Sequence, residues 1–558
     1  MLRDRPSIAS VLLSILTSAY ILFLTNFTFW EKGTTYFSNH KIQFVALAIA
    51  FFALFIAALT SFSVKYLIKP FFIFLIMVSA AASYFVDTFG ILINHHMIRD
   101  AVATTTNEAK HLITADFVFH VLLFGILPSA LIVWVKVIHR PFLPKVACNC
   151  ALIFPCLAVA GGLVAVNYPG YASTFREHRD FVASINPWAP IIGAVKYARN
   201  NLGEQNIKVE PLGEDAQKGP LITASRKKVL TVIVVGETAR TQNFSLNGYA
   251  RQTNEELATR NVISFSDVSS CGTATAVSMP CMFSVYTRAE YSHNKALSTE
   301  NLTDVMRRAG IEVSWWDNNT GSKGVADRIN YANLSREIDE RYCQDGECND
   351  GILVERLRRY FDEITDDTVL VMHQIGSHGP AYYLRYPAEF EKFKPACPTA
   401  QFADCTPEEI TNAYDNTIVY TDHVLSQIID LLDARSDEFA TSMIYVSDHG
   451  ESLGENGFYL HGLPYLFAPD VQTKVPLTAW FSEDFLKIMG LDPSCIAARK
   501  EQSYSHDNLF HSVLGVMDVK TAVYQQDLDI FAPCQAASST EVAMNARRLP
   551  ARDNRGRN

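Results

Sequence analysis

Five long apolar runs fall in the first 170 residues of the chain, and none of comparable length follows. Each run approaches or exceeds the roughly 20 residues that cross a bilayer as a helix. A soluble bundle of buried helices would show polar stripes at helical spacing, and "IQFVALAIAFFALFIAALTSF" has none. The sequence therefore predicts a membrane domain over 1–167 with five transmembrane helices, within 7–30, 42–62, 70–90, 117–138 and 146–166.

Basic residues near these runs predict the orientation. Arg3 and Arg5 precede the first run, Lys65 and Lys69 separate the second from the third, and further basic residues surround the loop between the fourth and fifth. Because Lys and Arg are enriched in cytoplasmic loops, the N-terminus is expected in the cytoplasm. Everything after residue 167 then lies outside, which in a bacterium is the periplasm. The first run lacks a small-residue cleavage site, so we expect it to remain as an anchor.

The remainder of the chain reads as an α/β domain. Residues 168–228 form a connector, which is either a pair of amphipathic helices at the membrane surface or a polar linker. From 229 to 534, short apolar runs rich in Val and Ile alternate with helical stretches, and four of these runs are predicted strands: "VLTVIVVG", "IEVSWWD", "TVLVMHQIG" and "SMIYVSDHG". This alternation predicts a largely parallel sheet with helices on both faces. The polar tail, 535–558, is expected to be disordered.

Charge and cysteine usage narrow the functional classes. The net charge is −10, and there is no basic stripe with interleaved aromatic residues, so nucleic acid is not an expected partner.

Three cysteines lie in the fifth run, whereas eight lie in the outer part, where disulfides persist. Close spacing suggests disulfides rather than zinc knuckles for three pairs, and a fourth bridge between Cys495 and Cys534 is compatible with the sequence. The three pairs are Cys271/Cys281, Cys343/Cys348 and Cys397/Cys405.

Polar residues gather where the predicted strands end. Glu237 follows the first strand, and Asp448, His449 and nearby Glu451 follow another. Singly, each such residue is most simply a solvated loop residue, a helix cap or part of a turn. Because ligands bind at the carboxyl ends of parallel strands, and His and carboxylates suit Zn²⁺, their coincidence predicts a metal site. Further candidates at the same edge are His373, His378, Asn319, Lys323 and His461.

The stretch "SSCGTATAVSMPC" contains two threonines between cysteines. A hydroxyl becomes a useful nucleophile when a base or a metal helps it to lose its proton, which gives Thr275 a role. The loop would be fixed by the disulfide and would open a helix, whose N–H groups favour anions. The simpler interpretation is that a threonine only caps this helix, and we adopt it for Thr273.

Taken together, these motifs resemble the phosphoethanolamine transferases of the alkaline phosphatase/sulfatase superfamily, which include enzymes that modify lipid A and the mobile colistin-resistance enzymes. The resemblance covers nearly the whole chain. Its motifs occur in the family's order: "GETAR", "CGTATAVSMPCMFS", "DNNTGSKG", "HQIGSHGP", "SDHGESLGENG" and "SHDNLFH". The superfamily's sulfatases need a Cys-x-Pro-x-Arg motif, which neither Cys271 nor Cys281 begins.

The resemblance implies a role for each site residue. Glu237, Thr275, Asp448 and His449 would hold zinc, one ion or two, and Thr275 would be the nucleophile that becomes phosphorylated. Residue Asp100 departs from the family, whose members often have Asn there. The expected contacts to the substrate, or to a second zinc, are Asn319, Lys323, His378, Glu451 and His461, with Thr104 and Glu108 facing the site from the membrane side.

The implied reaction moves phosphoethanolamine from phosphatidylethanolamine to a phosphate of lipid A, which would lower the negative charge of the envelope and give resistance to polymyxins. The enzyme would be an inner-membrane protein and a monomer. Three alternatives stay open: the same chemistry on a core sugar or periplasmic glucan, transfer of glycerol phosphate, and a non-catalytic membrane sensor.

Overall fold

The computed structural model divides the chain into two compact units, Met1–Gln205 with Leu453–Leu463, and Asn206–Ser452 with Pro464–Asn558. It describes residues 5–103, 106–168, 171, 174–175, 178–204, 208–337, 339–344 and 347–536. The predicted tail lies almost entirely outside the described residues.

The first unit is helical. Its helices are α1 (Ser10–Leu24), α2 (Phe27–Tyr36), α3 (Lys41–Ser61), α4 (Ile68–Phe89), α5 (His95–Ala103), α6 (Thr106–Leu112), α7 (Ala115–Trp134, with a π-helical turn at Leu122–Ile126), α8 (Phe142–Val166), α9 (Arg179–Ala183) and α10 (Trp188–Glu204). Two short strands, β1 (Ser7–Ala9) and β2 (Lys136–Ile138), pair in parallel.

Four of these helices, α3, α4, α7 and α8, are long and apolar enough to span a membrane. The first predicted span is instead a bent pair, because α1 and α2 meet at 65°. The Asn26 amide donates to the carbonyl of Ile21 at 2.8 Å, and its Oδ1 accepts from the backbone N–H of Asn186 at 2.7 Å. This buried side chain thus bonds a carbonyl at the end of α1 and the backbone of a distant segment, at the point where the apolar run bends instead of continuing as the predicted single helix.

The second unit is built on a mixed sheet. Within the described residues, eight strands lie side by side in the order β15-β5-β14-β11-β4-β10-β6-β7. The strands are β3 (Gln217–Lys218), β4 (Lys228–Gly236), β5 (Ile263–Ser269), β6 (Glu312–Asp317), β7 (Asn330–Asn333), β8 (Cys343–Gln344), β9 (Glu347–Cys348), β10 (Thr368–His373), β11 (Phe439–Ser447), β12 (Ser452–Leu453), β13 (Tyr459–Leu460), β14 (Lys474–Phe481), β15 (Tyr504–Ser505) and β16 (Val519–Lys520).

The central strands confirm the prediction of a largely parallel sheet. Strand β4 is buried at every residue after Lys228, as expected for a strand covered on both faces, and it pairs in parallel with β10 and β11. Strand β14 runs antiparallel to both of its neighbours, β11 and β5. Consequently β4, β5, β6, β10 and β11 all point the same way, and their carboxyl ends share one edge of the sheet.

Helices pack around this sheet. They are α11 (Pro220–Thr223), α12 (Thr275–Met282), α13 (His293–Ser298), α14 (Leu302–Arg308), α15 (Gly351–Tyr360), α16 (Pro407–Asp433), α17 (Asp470–Thr473), α18 (Glu483–Met489), α19 (Pro493–Ala498) and α20 (Asp507–Val516). The longest, α16, begins with Pro407 and a capping box, in which Thr406 Oγ1 accepts from Glu409 N at 3.2 Å and Glu409 Oε2 accepts from Thr406 N at 2.7 Å.

Disulfides form between all four cysteine pairs considered from the sequence. Cys271 pairs with Cys281, at a Cα–Cα distance of 6.1 Å, and the other pairs are Cys343–Cys348, Cys397–Cys405 and Cys495–Cys534. The cysteines of α8, Cys148, Cys150 and Cys156, are free. Oxidised and reduced cysteines are therefore divided between the two units.

Candidate active site

Three candidate metal ligands meet at the carboxyl edge of the sheet. Glu237 follows β4, and Asp448 and His449 follow β11, its parallel neighbour. All three side chains are buried, and each offers a ligand atom within 4.8 Å of the others. His449 Nε2 lies 3.4 Å from Glu237 Oε1 and 3.3 Å from Asp448 Oδ2. One imidazole and two carboxylates in a buried site form a group that could hold a metal ion.

Thr275 joins this cluster from α12. Its Oγ1 lies 3.1 and 3.2 Å from the two carboxylate oxygens of Glu237, and 3.3 Å from His449 Nε2. Thr275 is the first residue of the helix, and the N-cap residue is Ala274, which makes no side-chain cap. The prediction that Thr273 caps α12 is therefore wrong, because the helix begins one residue later than that role requires.

The two carboxylates differ in their electrostatic surroundings. Burial raises the pKa of Asp448 well above its usual value, and the nearby charge of Glu237 raises it further. Burial also opposes ionisation of Glu237, but the nearby imidazole of His373 and the charges of His449 and His378 hold its pKa below the usual range. Asp448 Oδ2 is buried and has no hydrogen-bond partner among the residues that the structure describes. A cation at this point would satisfy that oxygen and relieve the repulsion, so the residues fit a bound metal.

Asn319 and His373 surround the Glu237 carboxylate. The Asn319 amide donates to Glu237 Oε2 and to the carbonyl of Gln374, each at 2.8 Å. His373 Nδ1 lies 2.9 Å from Asp317 Oδ2, and its Nε2 lies 3.9 Å from Glu237 Oε2. Burial opposes protonation of His373, yet the carboxylates of Asp317 and Glu237 raise its pKa to about 9. Asn319 and His373, both predicted from the sequence to lie at this edge of the sheet, are thus neighbours of the candidate metal ligand Glu237.

A glycine allows the loop after β10 to pack closely against this site. Gly376 has a φ of +51°, and a Cβ added there would lie 2.8 Å from the carbonyl oxygen of Glu237. Its N–H donates to Asp350 Oδ2 at 2.9 Å. A side chain at this position would push the loop away from Glu237, which explains glycine in the "QIGSHGP" motif.

The other predicted contacts in the second unit occupy defined positions. Lys323 donates to the carbonyl of Thr320 at 2.9 Å, with a left-handed backbone φ of 51°. The buried carboxylate of Glu451 accepts a hydrogen bond from the Tyr382 hydroxyl at 2.6 Å. His378 is half-buried, just beyond β10. Tyr382 has no distinguishing spacing in the sequence, and for that reason sequence reasoning missed it.

Three of the residues predicted to contact the substrate lie outside the described part of the second unit. His461 lies in Leu453–Leu463, a segment that packs with the first unit. Thr104 lies outside the described residues, and so does the side chain of Glu108, whose backbone is in α6. The roles expected for these three residues stay predictions.

His506 is a residue of the site that the sequence did not identify. Its Nδ1 accepts from the backbone N–H of Cys271 at 3.1 Å, and its Nε2 donates to the carbonyl of Ser447 at 2.9 Å. The Ser278 hydroxyl, one turn after Thr275, lies 3.2 Å from the same Nδ1. The buried imidazole therefore ties the loop of the candidate nucleophile to the strand that ends in Asp448 and His449. In the sequence, His506 is distinguished only by its position in the family motif "SHDNLFH".

Two family models match the chain. Residues 230–519 match the model described as Sulfatase, and residues 51–202 match the model described as Phosphoethanolamine transferase EptA/EptB. The first match spans all the strands that position the site, and the second spans most of the helical unit.

Relatives match over nearly the full length. Phosphoethanolamine transferase EptA of Escherichia coli strain K12 is 40% identical over 546 residues, covering 96% of this chain and 99% of that protein. Phosphatidylethanolamine transferase Mcr-1 of Escherichia coli is 36% identical over 525 residues, covering 90% and 95%.

A solved structure agrees with the whole fold. The integral membrane lipooligosaccharide phosphoethanolamine transferase A of Neisseria meningitidis superposes with a TM-score of 0.91 at 35% identity, over 95% of this chain and 100% of that one. The periplasmic domain of phosphoethanolamine transferase EptC from Campylobacter jejuni gives a TM-score of 0.52 at 41% identity, over 59% and 99%. The chain therefore belongs to the phosphoethanolamine transferases of the alkaline phosphatase/sulfatase superfamily, as an inner-membrane enzyme with a periplasmic catalytic domain.

Proposed function

We propose that the chain transfers phosphoethanolamine from phosphatidylethanolamine to a phosphate of lipid A, with Thr275 as the nucleophile. The observation that carries the proposal is the position of Thr275 Oγ1, which lies 3.1 to 3.3 Å from Glu237 and His449. A hydroxyl at that distance from buried carboxylate and imidazole groups can be deprotonated. The names of the relatives support the transferred group, and one relative is a Kdo(2)-lipid A phosphoethanolamine 7''-transferase.

In the first half of the reaction, Thr275 Oγ1 attacks the phosphorus of the donor lipid. The new Oγ1–P bond forms as the bond from phosphorus to the diacylglycerol oxygen breaks, and diacylglycerol leaves as the alcohol after taking up a proton. Glu237, whose oxygens lie 3.1 and 3.2 Å from Oγ1, would accept a hydrogen bond from the hydroxyl and orient Oγ1 for attack, and the proton that Oγ1 loses would pass to the leaving diacylglycerol oxygen. The first N–H groups of α12 would favour the negative charge of the phosphate at the same end.

In the second half, an acceptor oxygen attacks the phosphorus and the Oγ1–P bond breaks. Oγ1 takes up the proton that the acceptor gives up, which returns the Thr275 hydroxyl. A phosphate of lipid A as acceptor would gain a cationic ammonium and lose net negative charge. Weaker binding of cationic peptides such as polymyxins would follow.

Zinc is the metal we propose for the cluster, held by Glu237, Asp448, His449 and Thr275. The donor set, with carboxylate oxygens and one imidazole but no thiolate, suits Zn²⁺, and the unsatisfied Asp448 Oδ2 supports a bound cation. When bound, zinc would lower the pKa of a coordinated hydroxyl and offset phosphate charge. Whether one ion or two bind is a question for elemental analysis.

The remaining predicted residues are proposed contacts to phosphoethanolamine. Lys323 and His378 would offset phosphate charge, and Glu451 would pair with the ammonium group. Asn319 would orient Glu237, which its amide already contacts. His461, Thr104 and Glu108 keep the roles that the resemblance implies.

The nucleophile is tested by peptide mass spectrometry after incubation with donor lipid and no acceptor. We expect a phosphoethanolamine adduct on Thr275, absent in Thr275→Ala. Thr273→Ala is the matched control, since it removes a hydroxyl two residues away and should retain the adduct. An adduct on Thr273 or Ser278, or normal turnover by Thr275→Ala, would show that another residue is the nucleophile.

The acceptor needs a separate test. Lipid A from cells that express the protein should gain the mass of phosphoethanolamine, and lipid A from cells with Thr275→Ala should not. Unchanged lipid A together with the Thr275 adduct would support the transferase activity but exclude lipid A as the acceptor, and core sugars or periplasmic glucans would then be tested. A glycerol phosphate adduct would instead identify a different donor.

A further inference from the structure

A small cavity lies at one end of the helical unit, far along the chain from the catalytic residues. It has a volume of about 330 Å³. Its polar lining comprises Ser10, Arg140, Lys145 and Asn149, and its apolar lining includes residues of α1 such as Leu12 and Ile15. A polar pocket continuous with an apolar wall matches a lipid, whose headgroup and chains need both kinds of surface.

This end of the unit faces the cytoplasm. Helix α8 crosses the membrane once between Lys145, near its start, and the connector that leads to the periplasmic domain. The β1–β2 pairing and the bond from Lys145 Nζ to Ser10 Oγ, at 2.7 Å, bring the start of α1 to the same place. The cavity therefore opens at the level of the cytoplasmic leaflet.

The charge at this end is uniformly positive. Residues 5–16, 58–72 and 133–150 contain Lys and Arg at six positions and neither Asp nor Glu, while Arg3 and Asp4, of opposite charge, lie outside the described residues. Burial, followed by the charges of Lys145 and Lys65, lowers the pKa of His139 in the same loop. Such a basic pocket between helices on the cytoplasmic side attracts an anionic headgroup.

Lys145 is positioned without an acidic partner. Its Nζ donates to Ser10 Oγ at 2.7 Å and to Ser63 Oγ at 3.2 Å, so three segments converge on one ammonium group. Among the described residues, neither Lys145 nor Arg140 has an ion pair with a carboxylate. Each is therefore available for a phosphate oxygen, and Lys145 is held in place for one.

One buried acceptor also lacks a donor. The Asn149 amide donates to Ser63 Oγ at 3.1 Å and to the carbonyl of Thr60 at 3.3 Å, but Asn149 Oδ1 is buried with no hydrogen-bond partner among the described residues. A buried acceptor without a donor is unfavourable. A ligand that brings a hydroxyl beside its phosphate would bond this oxygen.

We propose that the cavity binds an anionic glycerophospholipid with a hydroxylated headgroup, such as phosphatidylglycerol. Its phosphodiester contacts Lys145 and Arg140, a headgroup hydroxyl donates to Asn149 Oδ1, and its acyl chains lie along Leu12 and Ile15. The zwitterionic donor lipid fits less well, because its ammonium would lie among cations. This site is separate from the transfer reaction and does not depend on the proposed function.

Native mass spectrometry of the full-length protein, with added lipids of matched acyl chains, tests the site. We expect retention of phosphatidylglycerol in preference to phosphatidylethanolamine. Lys145→Gln and Arg140→Gln should each weaken phosphatidylglycerol binding roughly tenfold, the usual effect of losing a charge-assisted hydrogen bond. Lys136→Gln is the matched control, because Lys136 is exposed in the adjoining strand β2 and does not line the cavity.

A second comparison isolates the hydroxyl. Asn149→Leu should weaken binding of phosphatidylglycerol but not of phosphatidylmethanol, which carries the same charge without the hydroxyl. Equal retention of phosphatidylethanolamine, or a loss in Lys136→Gln as large as in Arg140→Gln, would overturn the proposal. Since Arg140 is exposed, its variant should fold even if Lys145→Gln does not.

Discussion

Replacing His506 with leucine should loosen the catalytic loop without touching a proposed metal ligand. The imidazole makes two hydrogen bonds to backbone groups that are distant in the sequence, the N–H of Cys271 at 3.1 Å and the carbonyl of Ser447 at 2.9 Å. Leucine is similar in bulk but can neither accept nor donate. Both backbone groups would then be buried and unpaired.

The magnitude follows from these two groups. Leaving a buried donor or acceptor unsatisfied costs about 1–3 kcal/mol, so the variant should lose about 2–6 kcal/mol of stability. In a domain of this size, 1 kcal/mol lowers the Tm by about 2 °C, which predicts a fall of about 4–12 °C. His506→Gln keeps a nitrogen near the place of Nε2, and His506→Asn keeps an oxygen near that of Nδ1. Each should recover about half of the loss.

The assay is a thermal melt of the full-length protein in detergent, paired with turnover of donor lipid. We expect the order wild type, then Gln and Asn, then Leu, in both measurements, with zinc content unchanged. A leucine variant that melts within 1 °C of the wild type, or that is less active only because it has lost zinc, would refute the idea that His506 fixes the loop.

Four further outcomes are expected. Asn319→Ala should reduce activity or zinc affinity about 10–100-fold, as is usual when a side chain that orients a metal ligand is removed; equal kcat/KM and zinc content in the variant would contradict this. A strong chelator should abolish activity, and added Zn²⁺ should restore it. Full activity in a protein that elemental analysis shows to be metal-free would disprove the zinc mechanism. Reduction should lower both the activity and the stability, the latter by about 2–4 kcal/mol for each disulfide. Free reaction of Cys271 and Cys281 with a maleimide in unreduced protein would mean that their bridge is absent in solution. Burial lowers the pKa of His506 to about 4. As the pH falls, this histidine is therefore protonated in the unfolded chain before it is protonated in the folded one, and its contribution to the free energy of unfolding should fall by about 3 kcal/mol between about pH 6.5 and 4. Thermal melts at different pH values should show this loss in the wild type and not in His506→Leu.

Much of the catalytic unit could be predicted because its pattern is local. Strands β4, β6, β10 and β11 are continuous apolar runs, and the polar residues that follow them had to share an edge once the strands were parallel. Strands β5 and β14 were missed. β5 carries polar residues within the strand, "ISFSDVS", and β14 contains a proline, so neither shows a clear strand pattern.

The contacts that support the site could not be predicted, because they join distant parts of the chain. His506 and Cys271 are separated by 235 positions, and Tyr382 and Glu451 by 69. The bend between α1 and α2 has the same origin, since Asn26 bonds Asn186 across 160 positions. Hydropathy detects an apolar run but gives no information on the partner that bends it.

The division of the cysteines determines when the catalytic unit can mature. Its disulfide cysteines are reduced while the chain is in the cytoplasm, and they can be oxidised only after export. Until then the loop that carries Thr275 is not closed by Cys271 and Cys281. Under the mechanism proposed above, the nucleophile of newly made protein is therefore not held in place until the catalytic unit has crossed the membrane. We therefore expect the fraction of the synthesised enzyme that becomes active to depend on the cell's capacity for thiol oxidation outside the cytoplasm.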